Sequence, residues 1–182
     1  TGVQTCALPI SIFSRLTDIV FAVPLVLAAI VFMQLFSDQR TVFMVVVILA
    51  AFGWPPIARI TRGAVMEAKN EEYVTAARAL GASRWRIITA HILPNAAAPI
   101  IVYATVAFGT FIVAEATLSF LGVGVPPTSP SLGTLIRVGQ DFLFSGEWWI
   151  VFFPGLTLLL LALAVNLLGD WLRDALNPRL RR

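Results

Sequence analysis

Residues 70–95 read NEEYVTAARALGASRWRIITAHILPN, a polar insert in a chain otherwise too apolar for water. Of the 182 residues, 58% are hydrophobic and 13% charged, and the mean hydropathy is +0.86, outside the range of soluble domains. A hydrocarbon core of roughly 30 Å takes about 20 apolar residues of helix to cross. Residues 18–36 and 41–58 meet that requirement before the insert, and 96–118 and 149–168 after it. The expectation is an all-α integral membrane protein with four transmembrane helices.

The basic residues orient these spans. Arg15 precedes the first, Arg59, Arg62, Lys69, Arg78, Arg84 and Arg86 lie between the second and third, and Arg173, Arg179, Arg181 and Arg182 follow the fourth. Only Arg40 and Arg137, of thirteen cations, fall in the other two loops. Loops that retain Lys and Arg stay in the cytoplasm, so residues 59–95 and the C-terminus are expected there. The net charge of +3 is thereby a topology signal and not a nucleic-acid footprint.

Proline and glycine punctuate the spans. Pro24 is expected to kink the first, Ser37 to Arg40 to form a tight outer turn, and Trp54-Pro55-Pro56 to break the second. Small residues in the third span (Ala104, Ala107, Gly109, Ala114, Ala116) allow close helix contact. Glu115 falls near its outer end, where snorkelling or a polar partner is expected over a transport role. In the long outer loop 119–148, residues 132–144 suggest a short amphipathic helix whose Leu132, Leu135, Ile136, Val138 and Leu143 lie on the membrane surface. Asn177-Pro178 is expected to stop the last helix.

Capping signals organise the insert into two short helices. Asn70 is expected to cap a helix opening with Glu71 and Glu72, whose carboxylates suit the positive end of the helix dipole. Gly81 supplies a left-handed residue to close that helix. Ser83 is expected to cap a second, residues 84–93, ended by Pro94. Val74, Ala76, Ala77 and Leu80, with Tyr73 beside them, are expected to face outward as a small uncharged surface suited to a partner's groove.

Thr75-Ala76-Ala77, then Gly81, then Leu93-Pro94 resembles the EAA loop of ABC importer permeases, with matching spacing. Thr75 stands where that motif has Glu, and His91 where it has Ile. Both departures resemble the dipeptide and oligopeptide branch, as do residues 72–74, 77–83, 91–95, 118–122 and 166–174. The resemblance, to the C-type permease subunit of that branch, covers nearly all of residues 11–178. Leu132 stands where such proteins often carry Trp.

That resemblance implies a six-span subunit of which two N-terminal spans are absent here, paired with a homologous permease, two cytoplasmic ATPase subunits and an extracytoplasmic substrate-binding protein. Glu71, Glu72, Tyr73, Thr75, Ala76, Ala77, Arg78, Leu80, Gly81, Ala82 and Ser83 would form the surface that couples to the ATPase. No cofactor is expected on this chain; ATP and Mg would be held by the partner subunits. Nickel, haem and glutathione importers look similar, so peptide is the commonest cargo of several.

Residues 1–10, TGVQTCALPI, have no charged n-region and are too short for a signal peptide. Back-translated, they match a sequencing-library adapter in one frame, so they are expected to be non-native and 11–182 to be the permease domain. Cys6, the only cysteine, is accordingly set aside from redox or metal arguments.

Other chemistry finds little support in the residues. There is no G-x-x-x-x-G-K-[ST] sequence, and Lys69, the only lysine, follows no glycine-rich loop. His91, the sole histidine, lacks companions at metal spacing and falls in the insert, away from any outward-facing path. A secondary transporter or channel would place an ionisable residue at the centre of a span, and an intramembrane hydrolase a catalytic pair there. No span carries either.

Overall fold

The computed structural model describes residues 13–37, 41–126 and 128–176. In chain order they form α1 (Phe13–Ala22), α2 (Leu25–Leu35), α3 (Val42–Ala68), α4 (Glu72–Ala79), α5 (Arg84–Arg86), a π-helical stretch (Ile87–Ile92), α6 (Leu93–Phe120), α7 (Leu132–Gln140), a 3-10 turn (Leu143–Ser145) and α8 (Trp149–Leu176). The segment from α5 through α6 is continuous, a single 37-residue helix Arg84–Phe120. This helix, α3 and α8 are each long and apolar enough to cross a membrane. A fourth crossing is available only if α1 and α2 act as one bent pair. The expectations for residues 1–10, Arg40, Asn177-Pro178 and the last three arginines lie outside the described residues, as does most of the expected turn at Ser37.

Proline position, not proline content, decides where helices end. The expected span at 18–36 is broken and not merely kinked: α1 and α2 meet at 83°, with Pro24 extended at φ −59° and ψ 127°. Proline has no N–H and drives the residue before it out of the helical region. At about 1.5 Å per residue, the 11-residue α2 is too short to cross alone. By contrast, Trp54-Pro55-Pro56 does not break α3, which continues ten residues past the expected end at 58, to Ala68. Pro55 is among the most deeply buried side chains, and that packing offsets an interior-proline cost of about 3 kcal/mol. Nor does Pro94 end a short helix. Just ahead of it the ladder has already shifted register, with Leu93 N–H donating to the Ile88 carbonyl five residues back. The Asn95 side chain takes the His91 carbonyl at 2.7 Å. Pro99 and Pro154 likewise sit inside α6 and α8.

Two compact units divide the chain, with boundaries inside α3, α6 and α8. The first comprises the chain up to Pro55 together with Thr110–Ala162. Its core joins Ala29 and Met33 of α2, Val45, Ile48 and Leu49 of α3, and Ala114 and Leu118 of α6, with Val123 from the turn beyond. Phe32 and Phe52 extend this core with ring centroids 5.2 Å apart. Glu115 finds the expected polar partner: Ser119 Oγ donates to its carboxylate at 2.6 Å and accepts from Val125 N–H at 3.1 Å.

The expected amphipathic helix at 132–144 is shorter. α7 ends at Gln140 and begins with a reciprocal capping box between Ser131 and Thr134. It turns Gly133 and Gly139 inward, against the Ala116 backbone and against Val151, so small residues and not the leucines define its contact face. Leu135 and Val138 remain exposed.

The second unit comprises Pro56–Gly109 and the chain from Leu163 onward. Buried Gly169 brings α8 against Thr105 and Val106 of α6. Its own core gathers Ala68, Val74, Ala77, Ile87 and Ile92, with Val65 and Ala82 packed alongside. That core is the foundation of the candidate site.

Candidate coupling site

The insert folds as a short helix, a left-handed turn and the start of a long helix. α4 begins one residue later than expected: its N-cap is Glu71, in extended conformation and without a side-chain cap, not Asn70. The reason lies upstream, where α3 runs to Ala68 and Asn70 N–H is engaged by the Glu67 carbonyl. Glu72 in the first turn and Arg78 in the last complement the α4 dipole.

Gly81 closes α4 at φ +79°. Its N–H donates to the Arg78 carbonyl and Ala82 N–H to the Ala77 carbonyl, both at 3.1 Å, the paired bonds that satisfy orphan carbonyls at a left-handed helix end. A Cβ at Gly81 would meet nothing within 4 Å, so glycine is required there by backbone conformation alone. Ser83 then caps α5 as expected, accepting from Arg86 N–H at 3.4 Å.

One half of the expected surface is turned inward. Val74 is fully buried and Ala77 nearly so, in contact with Ile87 and Ile92. They anchor α4 and are not presented to a partner; on an eight-residue helix over an apolar neighbour, the residues at i and i+3 make the contact. Glu71, Glu72, Tyr73, Thr75, Ala76, Arg78 and Ser83 remain exposed, and Ala82 is half-buried. Leu80 projects furthest, at 88% exposure. Thr75, where the EAA motif has Glu, turns its hydroxyl back to the Glu71 carbonyl at 3.4 Å.

Trp85 is the residue that sequence reasoning missed. It is 77% exposed on the first turn after the elbow, between Arg84 and Arg86, and no signal in the sequence marks that exposure. Leu80 just before Gly81 and Trp85 just after the Ser83 cap are both exposed apolar side chains, with Arg78, Arg84 and Arg86 close by in sequence. Glu71 and Tyr73 border a cavity of about 970 Å³ that also touches Glu67, Asn95, Tyr103 and Arg173. His91 packs near Tyr73, with ring centroids 6.4 Å apart. Among the described residues no cluster of three or more His, Cys, Asp or Glu could hold a metal.

Known proteins share this sequence closely. The chain is 42% identical over 167 residues to the di/tripeptide transport system permease protein DppC of Pseudomonas aeruginosa, covering 92% of this chain and 54% of that one. It is 40% identical over 172 residues to the dipeptide transport system permease protein DppC of Bacillus subtilis, covering 94% and 53%. Against a putative peptide transport system permease protein of Brucella suis it is 43% identical over 171 residues, covering 94% and 57%. The chain thus spans about half the length of the curated relatives it matches. With residues 10–182 matching its family model, the chain belongs to the family of binding-protein-dependent transport system inner membrane components.

Proposed function

We propose that this chain is the transmembrane permease subunit of an ATP-driven, binding-protein-dependent importer of dipeptides or oligopeptides, and that residues 70–94 couple it to the ATPase. The named functions of its relatives support the cargo class. The cation distribution supports a cytoplasmic location for the insert. In this reading the subunit pairs with a homologous permease, receives cargo from an extracytoplasmic binding protein, and draws its energy from two ATPase subunits that hold ATP and Mg. It acts as a transport subunit and performs no hydrolysis itself.

The observation that carries the coupling role is the elbow at Gly81. α4 is anchored from within by Val74 and Ala77, while Leu80 and Trp85 stand out from the turn. A rigid apolar projection of this kind transmits a partner's closure as a lever, biasing two states of the permease. The test is Gly81→Asp in the assembled transporter. A side chain at positive φ re-aims the elbow, and a charge beside Leu80 opposes insertion into an apolar groove. Peptide uptake into proteoliposomes and ATPase co-purification should both fall while membrane insertion is retained. Uptake and co-purification at the unsubstituted level would overturn the assignment.

A further inference from the structure

Beyond the elbow, an unusual surface lies in the first unit, in the segment between α7 and α8. Residues 141–149 read DFLFSGEWW. The 3-10 turn leaves Phe144 fully exposed, at 101%, with Phe142 and Leu143 partly exposed beside it. Among the described residues nothing packs over Phe144, yet the turn that carries it is hydrogen-bonded. Ser145 N–H donates to the Phe142 carbonyl, Gly146 N–H to Leu143 and Glu147 N–H to Phe142, while Asp141 and Phe142 N–H groups return to α7. Gly146 closes the turn at φ +87°.

The turn is continuous with a membrane span. α8 starts at Trp149, and its 18-residue apolar window has no residue buried against the rest of the chain. At its head, Trp148, Trp149, Phe152 and Phe153 form a ladder of edge-to-face contacts with centroids 6.2, 5.4 and 5.6 Å apart. Aromatic side chains gather where a span meets the headgroups, which places the turn, only a few residues earlier, at that depth. From 138 to 172 the sequence has no Lys or Arg, so no cation would need to be desolvated there.

We propose that residues 142–146 are immersed in the lipid interface at the head of α8, with Phe144 as the anchor and the phospholipid acyl–glycerol boundary as its partner. Direct continuity with the aromatic head of α8 favours lipid over a protein partner. The turn is joined directly to α7, whose glycines pack it onto α6 and α8, so the anchor sets the level of α7 at the membrane surface. The anchor is independent of the coupling role at Gly81, and a negative result here would leave that role untouched.

The test uses the assembled transporter in phosphatidylcholine nanodiscs, with Cys6→Ser and a nitroxide attached through Phe144→Cys. Phe144 is fully exposed among the described residues, so labelling leaves their packing intact. The same label introduced by Thr128→Cys, in an exposed polar loop, is the aqueous reference. The oxygen-to-nickel-chelate collision ratio at 144 should be several-fold higher than at 128. Equal ratios would place the turn in water and overturn the proposal. Shielding from both reagents, with or without the external binding protein, would mean that a protein covers the turn and would overturn it equally.

Discussion

Two helices of this chain end in the same way, and the two ends ask different things of the same residue. α4 closes at Leu80-Gly81-Ala82 and α6 at Leu121-Gly122-Val123, each glycine at φ +79°. The hydrogen bonds correspond: Gly122 N–H donates to the Ser119 carbonyl and Val123 N–H to Leu118, as Gly81 and Ala82 donate to Arg78 and Ala77. The surroundings do not correspond. A Cβ at Gly81 would meet open space, while one at Gly122 would run into the Arg137 guanidinium. A cation just past a helix C-terminus is favourably placed, so Gly122 admits an electrostatic contact, whereas Gly81 leaves its turn open. One local motif thus serves a closed joint in the first unit and an open one in the second.

Substitution can break that comparison, starting with Gly122→Ala. The left-handed conformation costs roughly 1 kcal/mol for a residue with a Cβ, and displacing Arg137 forfeits a helix-end interaction of up to about 1 kcal/mol. A loss near 2 kcal/mol in SDS-titrated unfolding is expected. In an Arg137→Ala background the same substitution should cost only the conformational part. Full additivity of the two substitutions would show that the guanidinium contact contributes nothing.

Gly81→Ala should cost about 1 kcal/mol by the same measurement, since only the backbone term applies. A loss equal to that of Gly122→Ala would mean that the elbow is packed and not open. Smallest in stability is Leu80→Ser, expected to stay within about 0.5 kcal/mol because the side chain is exposed. Its effect should instead be on retention of the ATPase subunits during purification, since a large exposed apolar residue at a docking surface can dominate binding. Unchanged retention would move the docking face away from Leu80.

How much of this was legible in the sequence varies from residue to residue. Gly81 and Ser83 were readable because each cap is made with partners no more than five positions away. The inward turn of Val74 and Ala77 was not, since an eight-residue helix of mixed character offers several faces and the choice depends on Ile87 and Ile92 lying beneath it. Trp85 was passed over because its exposure, not its identity, makes it part of the elbow. Proline shows the same limit: Pro24 breaks its helix, whereas Pro55, Pro56 and Pro94 do not, and the difference is burial in one case and a π-helical shift of register in the other.

By itself, the sequence determined that the chain is a set of apolar helices long enough to cross a membrane, interrupted by one capped polar insert. Helix length, charge placement and local caps depend on composition and on neighbours a few residues apart. Tertiary structure alone decided which prolines break a helix, which face of α4 is buried, and whether a left-handed glycine has room beside it. Each of those outcomes is set by what a distant segment brings into contact, and sequence spacing carries no record of that distance.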